Sequence, residues 1–211
     1  EPSHLAGLVT KALRKFAQGA EREITVQHFE YIDGIDTKDA DGRRSSENNR
    51  KVRDYLLPFA QRAWDDVVKK DGTFPFTHDY YVKIWQLGTP VINAGYILLD
   101  EDQDTAPVFA DIIRRQGKSL LVLVGDENQA IYEWRGAVDA LSHFPDAPCG
   151  MLSQSFRFGQ SVADVANAIL AGLDQPTSLV MKGHPDIPSI VCEVPDPKCI
   201  LCRSNAGAVT A

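Results

Sequence analysis

Residues 96–108 read YILLDEDQDTAPV, an apolar run that stops at a group of acidic residues and then reaches a proline. The apolar part, Ile97–Leu99, predicts a short buried strand. The acids that follow it are Asp100, Glu101, Asp102 and Asp104. An acidic run after a strand is most often a solvated turn, and the alternative is a site for a metal ion and a nucleotide. The rest of the sequence decides between these two interpretations.

A second apolar run, SLLVLV at 119–124, predicts another buried strand. The residues between the two runs have apolar pairs at helical spacing. Thr105 is the expected cap of this helix, Pro107 lies in its first turn and Gly117 is its expected end. Continuous apolar strands that alternate with helices are typical of a parallel sheet covered by helices on both faces. The predicted fold class is therefore α/β.

Three polar clusters follow three predicted strands, the third of which covers Cys149–Leu152. The clusters are Asp100-Glu101, Gly125-Asp126 and Ser155-Phe156-Arg157. Ligands bind outside the carboxyl ends of parallel strands, so these clusters are expected to share one rim of the sheet. Each cluster alone is an ordinary turn or surface feature, and their combination at consecutive strand ends is what predicts a site.

The residue types at this rim suit phosphoryl transfer. Mg²⁺ binds through one or two carboxylates together with substrate phosphates, a role that Asp100 can fill. Glu101 could orient and deprotonate the attacking water. Gln129 could contact a terminal phosphate, and Arg157 could neutralise the charge that develops during transfer.

The other elements are predicted mainly from apolar periodicity. Helices are expected over 3–20, 51–70, 77–87 and 161–173. Pro58 is expected to kink or break the second of these helices, and Thr77 and Ser161 are expected to cap the third and fourth. In the last helix, the apolar residues Val162, Val165, Ala166, Ile169 and Leu170 are expected to point inward. Weak strand character covers 23–32, a polar loop covers 33–50, and further strands are predicted over Ile190–Val194 and Cys199–Cys202.

Composition limits the classes of function that fit. The chain has 211 residues, 44% of them hydrophobic and 24% charged, with a net charge of −7. Because the net charge is negative, the chain as a whole does not attract nucleic acid, and contact with nucleic acid requires local basic patches. No apolar run approaches the roughly 20 residues that span a bilayer. The chain starts at Glu1 and stops at Ala211 just after a predicted strand, so we expect a longer parent protein.

The four cysteines, Cys149, Cys192, Cys199 and Cys202, predict reduced and mostly buried thiols in an intracellular protein. Cys199 and Cys202 form a CxxC pair, which can also indicate zinc. In the predicted strand, however, these two side chains face opposite sides, and no second pair or nearby histidine pair completes a four-ligand site.

Three segments together resemble superfamily 1 DNA helicases of the UvrD/Rep type. LLDEDQD (98–104), VGDENQAIYEWRGAVDAL (124–141) and LSQSFRF (152–158) are similar to motifs II, III and IV of that family. FTHDYYVKIWQL (76–87) resembles its F-box DNA helicase branch, and ILCRSNA (200–206) is similar to an early strand of the second motor domain. The resemblance covers roughly residues 74–206.

This resemblance implies a partial RecA-like P-loop NTPase sheet with a helical insertion domain. The implied division is 1–88 for the insertion, 89–176 for part of the first motor domain and 177–211 for the start of the second. It also implies ATP and Mg²⁺ as ligands, with Asp100 and Glu101 as magnesium ligand and catalytic base. Gln129 would contact the γ-phosphate and Arg157 would be an arginine finger.

The same resemblance implies contact with single-stranded DNA. Tyr132 and Trp134 would stack on bases, Arg135 would anchor their loop, and His78 would also touch DNA. The implied activity is ATP-driven 3′→5′ movement on single-stranded DNA in DNA repair or recombination. The implied location is the nucleus, or the cytoplasm in association with a nucleoid.

The sequence departs from the family pattern in three places. Asp102 stands where the family has Ala, so it either adds a charge beside the metal or points to solvent. Ser155-Phe156 replaces Asn-Tyr before the arginine. No Gly-x-x-x-x-Gly-Lys-Ser/Thr loop occurs in the chain, and this is the loop that cradles nucleotide phosphates. We therefore expect the 211 residues alone to hydrolyse little or no ATP.

Two alternatives stay open. One is a truncated helicase relative that binds DNA or a partner without ATPase activity, and the other is an unrelated Mg²⁺-dependent hydrolase. A sheet that lacks the strand of the nucleotide loop exposes apolar surface, which either a second copy of the chain or a different local packing would cover.

Overall fold

The computed structural model describes residues 2–36, 46–130, 144, 146–173, 179–202 and 205–210. The chain forms two compact units, Glu1–Asp146 and Ala147–Ala211. The division into segments at residues 88 and 176 remains a prediction. Among the described residues, every helix is too short or too polar to cross a membrane.

Three helices build the hydrophobic core of the first unit. They are Pro2–Gln18 (α1), Glu47–Val67 (α2) and His78–Leu87 (α3), close to the predicted bounds, with Thr77 as the N-cap of α3. Their apolar stripes meet at Leu13, Ala60 and Tyr80, which are fully buried. The ring of Phe16 contacts that of Trp64 edge to face, with centroids 5.2 Å apart. The helical periodicity of the sequence therefore locates this core correctly.

The break that Pro58 predicted in α2 does not occur, and the helix continues through it to Val67. Proline removes one backbone N–H and leaves the carbonyl of the residue four positions earlier without its helical partner. That residue is Asp54, and both Asp54 and Pro58 are exposed. Water can therefore donate to the freed carbonyl, so the proline costs α2 little.

The strand predicted weakly over 23–32 is also wrong. A 3-10 turn, Val26–His28, occupies this segment. The backbone N–H of Thr25 donates to Nδ1 of His28 over 3.0 Å, and this local bond favours a turn over an extended chain. His28 is buried, with its ring edge to face against Phe16.

Two buried polar residues of α3 hold the end of α1 in place. Lys83 Nζ donates to the backbone carbonyls of Gly19 and Glu21 and lies 4.2 Å from the ring centroid of Phe16. Gln86 Nε2 donates to the carbonyl of Ala20 over 2.9 Å. Burial lowers the pKa of Lys83 to about 8. The backbone carbonyls of the three residues that follow α1 thus receive side-chain donors.

Within the described residues of the first unit, the sheet consists of two parallel strands joined by a helix. Tyr96–Leu99 (β1) and Leu120–Leu123 (β2) pair in register, Leu99 opposite Leu123, and Pro107–Arg114 (α4) connects them. Both predicted strands and their parallel direction are confirmed. This arrangement of helices with a small parallel sheet fits the α/β class.

The prediction that helices cover both faces of the sheet is wrong for the residues that the structure describes. Exposure alternates along both strands. One face, formed by Tyr96, Leu98, Leu120 and Val122, is between 40% and 75% exposed. The apolar run is continuous, but side chains alternate between the two faces of a strand. The run therefore indicates that both faces of the strand carry apolar side chains, but it does not show which element packs against each face.

The helix α4 has Pro107 in its first turn, as predicted, but its N-cap and its last residue differ from the prediction. Its N-cap is Ala106 and its first residue is Pro107, so the predicted cap at Thr105 is wrong by one position. It ends at Arg114, before the predicted stop at Gly117. The exposed Arg114 and Arg115 both contact the buried Asp111, over 3.3 and 2.8 Å.

The described residues of the second unit form two helices, Gln160–Ala171 (α5) and Asn205–Thr210 (α6). The N-cap of α5 is Gly159, so the predicted cap at Ser161 is wrong, and Ser161 Oγ instead donates to the carbonyl of Ser189 over 2.7 Å. The prediction that Val165 and Ile169 point inward is also wrong, since they are 44% and 64% exposed.

The three strands predicted in the second unit are absent from its described residues. A single parallel bridge, between Gln154 and Lys182, is the only β-pairing described there. The predicted strands need neighbours that satisfy their backbone and cover their side chains. Leu152, Ile190 and Leu201 are instead 81% to 93% exposed. Apolar runs at 149–152, 190–194 and 199–202 therefore do not form strands here.

The four cysteines are exposed, so the prediction of mostly buried thiols is wrong. They lie in segments without regular structure, where no packed layer covers them. Within the described residues, no three His, Cys, Asp or Glu side chains are grouped so as to hold a metal ion.

Candidate nucleotide site at the strand ends

The parallel pairing of β1 and β2 brings two of the three polar clusters together. Val124 N–H donates to the carbonyl of Leu99 over 2.8 Å, and Asp102 N–H donates to the carbonyl of Val124 over 3.1 Å. The ladder therefore continues beyond the last strand residues into the two loops. As a result, Asp100-Glu101 and Gly125-Asp126 lie at one edge of the sheet.

Gln103 connects these two loops through its side chain. Its Nε2 donates to Glu101 Oε2 over 2.8 Å, and its Oε1 accepts from the backbone N–H of Asp126 over 3.0 Å. An amide can donate and accept at once, whereas a carboxylate cannot donate. Gln103 is 2% exposed, so its own amide is shielded from water. Sequence reasoning included Gln103 only as part of the motif and missed this role.

Asp102 is completely buried, so the prediction that it points to solvent is wrong. The alternative, that its charge lies beside a metal ion, stays a prediction. The 3-10 turn Asp102–Asp104 directs the side chain of Asp102 inward. A Cβ atom on Gly125 would lie 1.6 Å from Asp102 Oδ1, so a larger residue at position 125 would displace the buried carboxylate of Asp102.

Glu101 has a left-handed backbone, with φ 52° and ψ 45°. A non-glycine residue in this region typically costs about 1–3 kcal/mol and tends to occur at functional sites. The conformation reverses the chain after β1, so that Glu101 is exposed while Asp102 is buried. Asp100 Oδ1 accepts from the backbone N–H of Glu101 over 3.0 Å, which fixes one oxygen of the first acid.

The second loop positions Gln129 by a bond to Asp126. A 3-10 turn, Glu127–Gln129, follows that acid. Gln129 Nε2 donates to Asp126 Oδ2 over 2.7 Å, and Asn128 N–H donates to Asp126 Oδ1 over 3.0 Å. The exposed amide of Gln129 therefore lies on the same loop as the acid at the end of β2.

The donor set at this edge fits Mg²⁺. Asp100 and Glu101 are exposed carboxylates, and carboxylate oxygens are the ligands that this ion prefers. Mg²⁺ retains several waters and takes further oxygens from substrate phosphates, so it does not need a cage of protein ligands. Two adjacent carboxylates are therefore sufficient as the protein's contribution.

The other predicted site residues belong to other elements or lie outside the described residues. Arg157 is an exposed residue of the second unit, where its backbone N–H donates to Ser155 Oγ over 3.1 Å. It follows no strand, since none forms over 149–152. His78 is the exposed first residue of α3, with its ring centroid 5.9 Å from that of Tyr81. Tyr132, Trp134 and Arg135 lie outside the described residues.

Comparison with known proteins agrees with the motifs at this edge. Residues 92–144 match the UvrD/REP helicase N-terminal domain, a range that includes β1, α4 and β2. F-box DNA helicase 1 of Gallus gallus is 34% identical over 168 residues, which cover 77% of this chain and 16% of that protein. The chain belongs to the UvrD-like superfamily 1 helicases.

Further relatives within this family cover less of the chain. F-box DNA helicase protein 1 of Schizosaccharomyces pombe is 35% identical over 136 residues, 61% of this chain and 16% of that protein. The ATP-dependent DNA helicase PcrA of Leuconostoc citreum is 36% identical over 83 residues, 36% of this chain and 11% of that helicase. The chain thus spans less than a fifth of the length of each of these helicases.

Proposed function

We propose that the protein acts in ATP-dependent 3′→5′ movement on single-stranded DNA, as a DNA helicase. One observation carries the proposal: Gln103 ties the loops after β1 and β2 together, so that Asp100-Glu101 and Asp126 share one edge of a parallel sheet. This edge is where nucleotides bind in open α/β sheets. The relatives that carry the same motifs are named DNA helicases.

Each residue proposed for ATP hydrolysis has a separate role. Asp100, with Glu101, would hold Mg²⁺, which when bound neutralises charge on the phosphates. Glu101 accepts a proton from the attacking water, and Gln103 holds its carboxylate through one oxygen. Gln129 contacts the terminal phosphate. Arg157, a residue of the second unit, is the proposed source of positive charge during transfer.

The DNA contacts that accompany this activity come from the motif at 124–141 and from α3. Tyr132 and Trp134 stack on bases, which suits a translocating protein because every base has a π-face. Arg135 anchors their loop, and His78 adds a contact at the start of α3. Such a protein works in the nucleus or at a nucleoid, in DNA repair or recombination.

Strand-displacement assays on tailed duplexes test the proposal, with protein expressed from its complete open reading frame. We expect ATP-dependent unwinding of a duplex with a 3′ single-stranded tail and none with a 5′ tail. Trp134→Ala is expected to weaken binding of single-stranded DNA. Unwinding only from the 5′ tail would contradict the polarity, and no ATP-dependent unwinding of either duplex would contradict the activity.

The 211 residues alone are proposed to hydrolyse little or no ATP. They contain no glycine-rich loop with Lys-Ser/Thr, and that loop supplies backbone N–H groups and a lysine to the phosphates. Robust DNA-stimulated hydrolysis by residues 1–211, abolished by Glu101→Gln, would overturn this.

The absence of that loop from the sequence also favours a second candidate, a helicase-like module that binds DNA or a partner without hydrolysing ATP. The parent gene separates the two candidates. A Gly-Lys-Ser/Thr loop upstream and in frame supports the motor, whereas a start codon directly before Glu1 supports the module.

A further inference from the structure

The helix α2 presents two aromatic rings to solvent that the hydrophobic core does not use. Its inward face contributes Leu56, Ala60 and Val67 to the core. On the outward face, Tyr55 is 61% exposed and Phe59 is 41% exposed. Their ring centroids are 5.3 Å apart with the planes tilted by 48°, so the two rings form one continuous surface.

The guanidinium of Arg62, about one helical turn after Phe59, extends this surface. The guanidinium carbon of Arg62 lies 4.7 Å from the ring centroid of Phe59. Positions 55, 59 and 62 follow each other at helical spacing on one face. We call Tyr55, Phe59 and Arg62 the aromatic ladder. In the part of the chain that the structure describes, no carboxylate forms an ion pair with Arg62.

Asp66, the acid four positions after Arg62 on α2, accepts hydrogen bonds from backbone groups. Asp66 Oδ2 accepts from the backbone N–H groups of Thr73 and Phe74, each over 2.7 Å. These bonds, that from Phe74 foremost, hold the pKa of Asp66 below its ordinary value. The negative charge is thus matched by two backbone dipoles, and the positive charge of Arg62 is left facing solvent.

We propose that the aromatic ladder is a stacking surface for single-stranded nucleic acid, separate from the contacts at Trp134 and His78. Bases stack on tyrosine and phenylalanine rings and on guanidinium planes, and a guanidinium also donates to phosphate. The rise from position 55 to 62 is about 10 Å, which matches about three nucleotides at 3.4 Å per stacked step. That the nucleic acid is DNA rests on the proposed function.

The surroundings of the ladder favour a nucleic acid over a protein partner. The stripe also contains the exposed Lys51, the half-buried Asp66 and the exposed Pro58, so charged residues lie on both sides of the rings along the helix. A protein interface is expected to bury a continuous apolar centre. The exposed face of the sheet, around Leu98, has that character, and nothing in the structure shows what covers it. Isolated rings beside a cation suit bases and phosphates better.

Fluorescence anisotropy with labelled oligothymidylate tests the proposal, using protein from the complete open reading frame. Tyr55→Leu and Phe59→Leu keep apolar bulk and remove the π-face, so each is expected to weaken binding by about tenfold. Phe59→Trp is expected to retain affinity. Arg62→Gln is expected to reduce the dependence of binding on salt by about one counterion, and Arg50→Gln on another face of α2 serves as its control.

Photocrosslinking of the wild-type protein to iododeoxyuridine-substituted oligonucleotides supplies a second measurement that needs no variant. A crosslinked peptide that contains Tyr55 or Phe59 is expected. Crosslinks confined to other segments would overturn the proposal even if the leucine variants fail to fold.

The outcomes separate this proposal from the proposed function. If Trp134→Ala weakens binding and the folded Tyr55→Leu and Phe59→Leu proteins bind normally, the ladder is overturned and the helicase proposal stands. If the wild-type protein binds no oligonucleotide, both fail. If the leucine variants change only the sedimentation of the protein, the surface joins copies of the chain, which also overturns the proposal.

Discussion

The two units of the molecule differ in how much apolar surface they bury. In the first unit, the helices α1, α2 and α3 share a core that includes the fully buried Leu13 and Tyr80. Among the described residues of the second unit, Ala163 is the only buried hydrophobic residue, and the exposed large side chains include Leu152, Phe156 and Leu201.

Polar contacts rather than a core hold the described parts of the second unit. Gly159 N–H donates to Ser189 Oγ over 2.6 Å, and Asn167 exchanges bonds with the backbone of Met181 over 2.8 and 2.9 Å. A hydrogen bond contributes only about 0.5–1.5 kcal/mol net. Apolar segments therefore form a core only where elements from distant positions in the chain pack together.

The largest effect is expected from Phe16→Ala in the core of the first unit. Phe16 is 1% exposed and contacts the rings of His28 and Trp64 and the ammonium of Lys83. Its truncation should lower the free energy of opening of α1 and α3 by about 3–5 kcal/mol. Native-state hydrogen exchange resolved by peptide measures this. A loss below about 1 kcal/mol would contradict the account of this core.

A smaller effect is expected from Gln103→Leu at the strand ends. The change leaves Glu101 and the N–H of Asp126 without their shared partner, at an expected cost of about 1–3 kcal/mol. Exchange of the amides at 124–129 should accelerate while α1 stays protected. Gln61→Leu on the exposed side of α2 is the matched control. Equal effects of the two changes would mean that Gln103 does not join the loops.

Lys83 predicts a dependence of stability on pH that is confined to the first unit. Burial lowers its pKa from 10.5 to about 8, although Glu21 and Asp111 oppose the shift. Between these pH values the unfolded chain holds a proton that the folded chain has lost, so stability rises with pH across this window. The rise should be smaller in Lys83→Met and unchanged in Lys69→Met, as measured by exchange of α1 amides corrected for intrinsic pH dependence. Identical slopes in all three proteins would refute this.

The smallest effect is expected from Ile169→Ala in α5. This side chain is 64% exposed, so its removal should change the stability of the second unit by no more than about 0.5 kcal/mol. Exchange of the α5 amides is the measurement. A loss of several kcal/mol would show that Ile169 is buried in solution and would remove the contrast between the units.

Patterns within short stretches of sequence predicted the elements that depend mainly on interactions between neighbouring residues. Helical periodicity located α1, α3 and α5, and the continuous apolar runs located β1 and β2 with their parallel direction. The runs at 149–152 and 190–194 have similar composition and form no strand, because a strand also requires a partner for its backbone. Sequence cannot show whether that partner is present.

The sequence likewise predicted some features of the candidate site and not others. The convergence of Asp100-Glu101 with Gly125-Asp126 followed from parallel strands, which the sequence indicated. The bond network of Gln103, the burial of Asp102 and the left-handed backbone of Glu101 depend on a turn whose geometry no short pattern encodes. Gly125 was the available signal, because a glycine at a strand end often marks a close approach.

We propose that the edge where β1 and β2 end is the catalytic edge of an ATP-driven helicase. The most direct measurement is DNA-stimulated ATP hydrolysis by protein from the complete open reading frame, with Glu101→Gln compared to Glu23→Gln, an exposed acid that is not part of this edge. Loss of a positioned general base should lower the rate by about 10²–10⁴-fold for Glu101→Gln, with oligonucleotide binding retained and Glu23→Gln unchanged. A Glu101→Gln protein that hydrolyses ATP at the wild-type rate would contradict the claim.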